Sequence, residues 1–369
     1  GDHTTGLALL GAVLGALRVI SGPDSTFRIT DFVNAFLMVV AADQRSRACE
    51  VFLERFVAVA DDITAAYWNV AALSSVDDLQ IAYMHSERFG GIVGYDYGAV
   101  AYPLKASEGV LALSFFRQGV DNIANTLNAF DPDRGLPVGN PEDRITFFSA
   151  ADMAVFLSYA TQKSDHLSLG ATAKVVHQRL GPFANAWGYS FDVAGRLSTN
   201  FADFGLQIND ITTMRKLWEV DASEFNLDNG SFQEVFNDSI PDGTNEFVLP
   251  SVRAGAAKTF NFSDFKLITA ADLNLFFENR RAYYLNMGRM SIEPQIGAEV
   301  GYRNIIHFRT GLTDFIDDPE NGFTMSPTLG LGLNISYLQL DYSFASFAGA
   351  TSDLGFTHRV SVKFDLGRN

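Results

Sequence analysis

The sequence predicts an all-β chain, a 14-stranded antiparallel transmembrane β-barrel with an N-terminal hatch or plug segment. Three observations predict it. From about residue 79 to residue 366, apolar and polar residues alternate with period two, mostly in segments long enough for a tilted strand to cross the hydrocarbon. The connections between segments take turns short and long, as tight periplasmic turns and longer outer loops do. Hydrophobic residues make up 47% of the chain and charged ones 19%, yet no run reaches the roughly 18 apolar residues of a spanning helix.

The chain opens with two apolar blocks, residues 6–17 and 31–42, each too short to span a bilayer. The first has signal-peptide length but no basic stretch ahead of it. Residues 1–55 are therefore expected to form a plug or an edge-covering segment, with a small helical subdomain as the alternative. Residues 56–78 are expected to be a hinge that enters the lumen, and residues 79–369 the barrel.

Candidate strands run 79–87, 93–103, 109–118 and 146–162. In 166–178, Leu167, Leu169, Ala171, Ala173 and Val175 alternate with Ser168, Gly170, Thr172 and Lys174. In 186–198, Trp187, Tyr189, Phe191 and Val193 alternate with Gly188, Ser190, Asp192 and Ala194. Strands at 201–210, 248–260 and 265–278 follow, then 290–301, where Ile292, Ile296, Ala298 and Val300 stand against Glu293, Gln295, Gly297 and Glu299. The last four are 303–313, 322–333, 335–345 and 355–366; in the final one Val360, Val362 and Phe364 oppose Arg359, Ser361 and Lys363. Pro294 and Pro327 lack a ladder donor, so they are expected on the lipid side near strand ends or bulges. Short connections fall near Lys105, Ser164, Thr199, Ser263, Tyr302 and Asn334; longer ones cover 119–145, 179–185, 211–247, 279–289, 314–321 and 346–354.

With the apolar face turned to lipid, the lumen receives Asp192, Arg196, Asp272, Asn274, Glu293, Glu299, Arg309, Gln339, Asp341, Arg359 and Lys363. Charges of opposite sign must then pair or stay hydrated, because an isolated buried charge is expensive. A soluble sandwich or lipocalin-like barrel also alternates. It has no use for so many strands, for a polar face carrying both signs of charge, or for long loops at one end only. Trp187, Tyr302 and Tyr342 lie near strand ends, where amphipathic rings favour the membrane interface or simply pack.

The segment before the first strand carries a motif. Ala58-Val59-Ala60-Asp61-Asp62 is followed by Tyr67-x-Asn69-x-Ala71-x-Leu73. This pair of runs resembles the PorV/PorQ family, outer-membrane barrels of the type IX secretion system within the FadL-like superfamily. Val70 and Ala72 stand where that family has proline and glycine, and Cys49 to Arg55 replaces its glycine-rich approach. The resemblance implies a non-enzymatic barrel of the outer membrane of a Gram-negative bacterium, multi-pass, that binds translocon subunits or secreted cargo through outer loops. The hinge residues Asp61, Asp62, Tyr67, Trp68 and Asn69 are its candidate partner-binding residues. The loop 211–247 adds Glu224, Asp228, Glu234 and Asp238; its acidic run suits a basic partner face, or is a solvated loop that keeps the surface hydrophilic. The wider FadL-like relatives imply the other reading, passage of hydrophobic small molecules or fatty acids through a lateral opening. That requires an apolar pocket floored by the hinge, lined by Phe56, Tyr67, Trp68 and Leu73.

Other chemistry finds little support. A net charge of −16 without a basic stripe argues against nucleic acid. Cys49 is the single cysteine, so no internal disulfide forms. The histidines are scattered without metal-ligand spacing, no Gly-x-Ser-x-Gly elbow occurs, and the Gly330 and Gly332 pair reads as small lumen-facing residues. No cofactor is expected. The partners expected are membrane lipid together with secretion proteins or a small hydrophobic molecule in the lumen.

Overall fold

A strand with one apolar face can meet lipid outside and polar groups inside only if the sheet has no edge. An open ladder in hydrocarbon would leave N–H and C=O groups unpaired. The computed structural model describes residues 56–88, 91–104, 109–126, 128–131, 136–137, 139–225, 245–278, 285–286, 288–318, 322–346 and 356–367. In it the first strand, β1 (Gln80–Arg88), pairs with the last, from Gln80 opposite Asp365 to Glu87 opposite His358. The sheet is closed.

Around the ring come β2 (Val93–Leu104), β3 (Gly109–Asn125), β4 (Thr146–Gln162), β5 (Leu167–Leu180) and β6 (Ala184–Ser198). Then follow β7 (Asp203–Asn209), β8 (Met214–Val220), β9 (Asn245–Val248), β10 (Ser251–Phe262) and β11 (Phe265–Phe276). The ring ends with β12 (Ser291–Tyr302), β13 (Ile306–Asp318), β14 (Gly322–Ile335), β15 (Leu338–Ser346) and β16 (Phe356–Asp365). Every pairing is antiparallel. Segments β7 and β8 both pair with β6 and form one stave broken at 210–213, while β9 and β10 form the next, broken at 249–250. Sixteen segments therefore make the fourteen staves that the alternation predicts. A two-residue strand, Leu285–Asn286, adds to β12, and Phe130–Asp131 pairs with Leu136–Pro137 as a separate hairpin.

The alternation sorts side chains as expected. Leu169, Phe191 and Val360 are exposed on the outside, while Lys174, Asp192, Asp272, Glu293, Arg309 and Arg359 are buried inside. An exposed apolar belt around a polar interior is the arrangement of an outer-membrane barrel. The chain is a multi-pass protein of the Gram-negative outer membrane. No helix among the described residues is long and apolar enough to cross a membrane, and the crossing is made by strands.

Inside, charges pair. Arg309 donates to Asp341 at 2.7 Å and also bonds Glu299, which meets His307 at 3.2 Å. Two buried glutamine and asparagine side chains extend the network, Gln339 to Asp341 and Asn274 to Glu293. Gly330 and Gly332 face inward, and a Cβ on Gly332 would collide with Asp341 Oδ1 at 2.5 Å.

Both prolines face outward, each inside one ladder, Pro294 opposite Leu273 and Pro327 opposite Leu312, and just beyond the ladder on its other side. Pro294 lies two residues before the β12 to β13 pairing begins at Ile296, and Pro327 one residue before β14 meets β15 at Thr328. Their missing N–H therefore breaks no bond on that side.

Four boundaries differ from the sequence reading, the first being β13, which runs on past 313 through a bulge to Asp318 and takes up most of the expected long connection 314–321. The connection 179–185 is no long loop: β5 ends at Leu180 and Gly181, at φ 54°, turns directly into β6. The loop 211–247 is shorter than expected, because β8 and β9 take its two ends and pair Lys216 with Glu246 at 2.7 Å. Strand β3 runs on to Asn125 through a bulge at 120–123, where Asn122 adopts φ 60°. Left-handed residues interrupt the alternation without ending the strand.

Candidate functional site

Residues 56–76 lie inside the ring and are organised by short polar side chains. Asp62 accepts from the Thr64 N–H at 3.0 Å and from its hydroxyl at 2.6 Å, turning the chain into a one-turn helix, α1 (Ala65–Trp68). Asn69 then leaves the helical region, at φ −156° and ψ 98°, and caps the 3₁₀ helix Val70–Ser75 by accepting from the Ala71 N–H. Its amide donates to the Val57 carbonyl at 2.9 Å and reaches the Gly195 carbonyl at 3.3 Å. One asparagine therefore joins the two halves of the segment to the wall.

Further bonds tie the segment all round. Asp272 accepts from the Val57 N–H at 2.8 Å, Gln80 from Ile63 at 2.9 Å, and Gln207 from Val70 at 3.0 Å. Lys363 reaches Asp62 at 2.7 Å. Ala65, Ala71, Ala72 and Leu73 are fully buried, and small residues let backbone approach backbone here. Replacing Asn69 by alanine removes a cap and leaves the Val57 carbonyl without that donor. We expect this to cost about 1–2 kcal/mol, measured as a lower urea midpoint of the refolded barrel.

Gly195, Gln80 and Lys363 touch the segment near the rim whose strands are joined by tight turns such as 199–202 and 336–337, the rim that the loop asymmetry makes periplasmic, while Asp272 and Gln207 hold it farther up the wall. On the other side of the segment lies a cavity of about 160 Å³. Ala66 and Tyr67 form its floor, and Phe116, Phe156, Val176 and Leu249 stand among its apolar walls. The Tyr67 ring stacks on Phe116 at 6.2 Å and meets Phe156 edge-on at 6.4 Å. An apolar cavity of about 150 Å³ holds one benzene, so this chamber has room for a single ring.

One flank of the chamber is polar. Lys174 bridges Asp192 at 2.8 Å and Asp210 at 2.9 Å, and Asp192 also accepts the Asp210 N–H at 2.7 Å. Lys216 bonds Glu246 and Gln178, and Gln178 donates to Asp152 at 2.8 Å. These charges bury because each has a partner of opposite sign or a hydrogen bond.

The chamber also abuts the break in the wall. The β7 to β10 ladder stops at Asn209 opposite Ser251, and the β8 to β9 ladder resumes at Met214 opposite Val248. Four residues face two in the gap. Asp210 and Thr213 take φ of 55°, uncommon for the β-branched Thr213, and Pro250 brings no N–H. Ile211 and Leu249 are exposed at the gap, while Asn209, Asp210, Leu249 and Pro250 line the chamber.

The sequence-predicted residues fall in different places. Tyr67 reaches the chamber. Trp68 is buried beneath the Arg253 guanidinium, 4.9 Å from its ring centroid, and Asn69 is the cap. Asp62 is buried against Lys363, whereas Asp61 is exposed. Phe56 lines a separate small cavity with Val59 and Gly297, and Leu73 is packing. Glu224 sits exposed in the short turn Ala222–Phe225; Asp228, Glu234 and Asp238 lie outside the described residues, as do residues 1–55. The sequence reading missed Lys174, Asp210, Lys216 and Asp152 as a cluster. The inward positions of Asp152, Lys174 and Lys216 on β4, β5 and β8 were the available signal; Asp210 lies in the break at 210–213. Among the described residues no group of three or more His, Cys, Asp or Glu is placed to hold a metal ion.

No family model and no curated protein matches the chain. Solved structures similar to it include a Pseudomonas aeruginosa FadL homologue, at 13% identity and a TM-score of 0.48, covering 84% of this chain and 95% of that one. The Pseudomonas putida toluene transporter TodX is 11% identical, with a TM-score of 0.49 and the same coverage of 84% and 95%. CymD, a monoaromatic hydrocarbon channel, is 11% identical with a TM-score of 0.47, covering 83% of this chain and 93% of that one. The secretion-system resemblance of residues 58–73 finds no support among them.

Proposed function

We propose that this barrel takes up small, largely apolar molecules across the outer membrane through the chamber above Tyr67. The chamber's position against the wall break carries the reading. A molecule held there has apolar walls on one side and, across Ile211, Leu249 and Pro250, the hydrocarbon of the membrane on the other. An apolar solute that leaves sideways into lipid never has to cross the charged interior below. Residues 56–76 then act as the hatch that keeps the periplasmic half filled. Apolar enclosure with a few convergent polar groups is the usual character of a small-molecule site.

The secretion reading draws on the hinge motif and the acidic outer loop. The hinge residues already have structural duties: Asp62 answers Lys363, Asn69 caps a helix, and Trp68 lies under Arg253. Buried in this way, they offer little to a protein partner.

The test is to fill the chamber. Ala154, buried and lining it, is replaced by tryptophan, and uptake of radiolabelled toluene is followed into vesicles carrying the full chain. Ala154→Trp should lower uptake at least about tenfold, equivalent to 1.4 kcal/mol, with the urea midpoint changed little. Unchanged uptake, or a purified barrel that retains translocon subunits or a secreted protein's terminal domain instead of a small molecule, would overturn the proposal in favour of docking.

A further inference from the structure

The chamber's polar flank has an uneven supply of donors and acceptors. Lys174 gives two of its three N–H groups to Asp192 and Asp210, and Lys216 gives two to Glu246 and Gln178. Both ammonium groups are therefore already neutralised. With Asp152, bonded to Gln178, and Glu246, which reaches Lys216 from outside the lining, four carboxyl groups stand against two ammonium groups among the described residues, a formal excess of two negative charges. Arg253 and Glu278, also on the lining, add one charge of each sign and leave that excess unchanged. Arg253 is moreover committed, donating to Asn274 at 2.9 Å while lying over Trp68.

A carboxylate entering this chamber would meet no uncommitted lysine and would face repulsion from Asp192 and Asp210. An alcohol or an amine would instead find carboxylate oxygens with lone pairs to spare, since each ionised carboxylate offers about four acceptor sites. Charge-assisted bonds from such a head are stronger than neutral ones. Tyr67, Phe116 and Phe156 supply faces for an aromatic body, Phe156 directly across the β4 to β5 ladder from Lys174. A ring over the floor puts its substituent toward the polar flank.

Building on the uptake reading, we infer that the chamber selects single-ring molecules bearing a hydroxyl or ammonium head over carboxylates of the same size. The separation is set by Lys174 being held between two aspartates.

The inference is tested by titrating the detergent-purified full chain with four probes of one size: benzylamine, benzyl alcohol, toluene and benzoate. Benzylamine and benzyl alcohol should bind at least about tenfold more tightly than benzoate, with toluene between them. Asp192→Asn combined with Asp210→Asn exposes the Lys174 charge and should move the preference toward benzoate by about tenfold or more. Lys174→Met should move it the other way, and serves if the double variant does not fold. Benzoate binding as tightly as benzylamine would overturn the head-group inference while leaving uptake standing. Toluene equalling both head-bearing probes would do the same. Binding of none of the four would remove the uptake reading, and this inference with it.

Discussion

Replacing Gly170 and Gly205 together by valine is expected to lift residues 56–76 off the wall and turn a filled barrel into a leaking one. Both glycines face inward, on β5 and β7, and the inner segment lies directly on them. A Cβ on Gly170 would stand 2.6 Å from the Ala71 nitrogen, and one on Gly205 would stand 2.6 Å from the Val57 carbonyl oxygen. Real Cβ atoms do not approach backbone so closely, and backbone cannot rotate away as a flexible side chain does. Overpacking of this kind costs about 1–3 kcal/mol at a site. Acting at separate points on one segment, the two substitutions would add to about 2–6 kcal/mol. That is enough to shift a seated-to-displaced ratio by roughly 30-fold to over 10⁴-fold. The cost falls on the seating of the segment, since the ladders on both sides of each glycine are made by backbone groups that valine retains.

The measurement is swelling of vesicles in a small sugar, together with conductance across a planar bilayer. Both should rise by an order of magnitude or more in the double variant, with heat-modifiable migration on gels showing a folded barrel. A folded double variant that stays as tight as the original would mean that the segment does not close the lumen. Gly297, whose added Cβ would meet the Phe56 ring at 2.6 Å, is the gentler comparison, because a ring can turn aside.

Much of the fold was legible because the bilayer imposes a two-residue period on every stave. Leu169 and Lys174 are separated by sidedness alone, and the sequence states that sidedness directly. The prolines were legible for the same reason: Pro294 and Pro327 occupy outward positions, where only the ladder, not the lumen, had to adjust. The wall break was not legible. It exists because 210–213 and 249–250 face each other in neighbouring staves, and no local pattern at Asp210 announces what lies across from it. Glycines hid a second feature. Gly170 and Gly205 look like small members of a polar face, and only the placement of Val57 and Val70 makes them seats.

The hinge motif stands out in the sequence, and the hydrogen bonds of its residues give it a structural use. Asn69 and Asp62 carry polar side chains in an apolar run, which usually marks a site. Here each supplies hydrogen bonds that a short buried segment cannot make for itself, because one helical turn leaves most of its backbone groups unpaired. Tyr67 is the one of these residues that lines the chamber. The polar cluster around Lys174 was half visible, since Asp192 was expected inside. Its partner Asp210 was not, because a residue at φ 55° falls out of the alternation, and Lys174, Lys216 and Asp152 sit in strands without announcing one another.

The outward face sets the second large effect. Phe191 lies at the middle of β6, opposite Ala173 of β5, with 48% of its surface exposed. Placing arginine there puts a charge near the bilayer midplane, at an expected cost of about 2–4 kcal/mol. Phe201, exposed in the turn 199–202 at the membrane edge, should accept the same change for about 0–1 kcal/mol. The two sites differ in depth and in one contact, the Lys258 ammonium 4.1 Å over the Phe201 ring, which Phe201→Arg also removes; a larger cost at Phe191 despite that loss is the mark of lipid. Urea unfolding of the barrel from lipid vesicles reads both values. If Phe191→Arg and Phe201→Arg cost the same, the apolar belt does not face hydrocarbon, and a chamber opening through the wall would then lead into water.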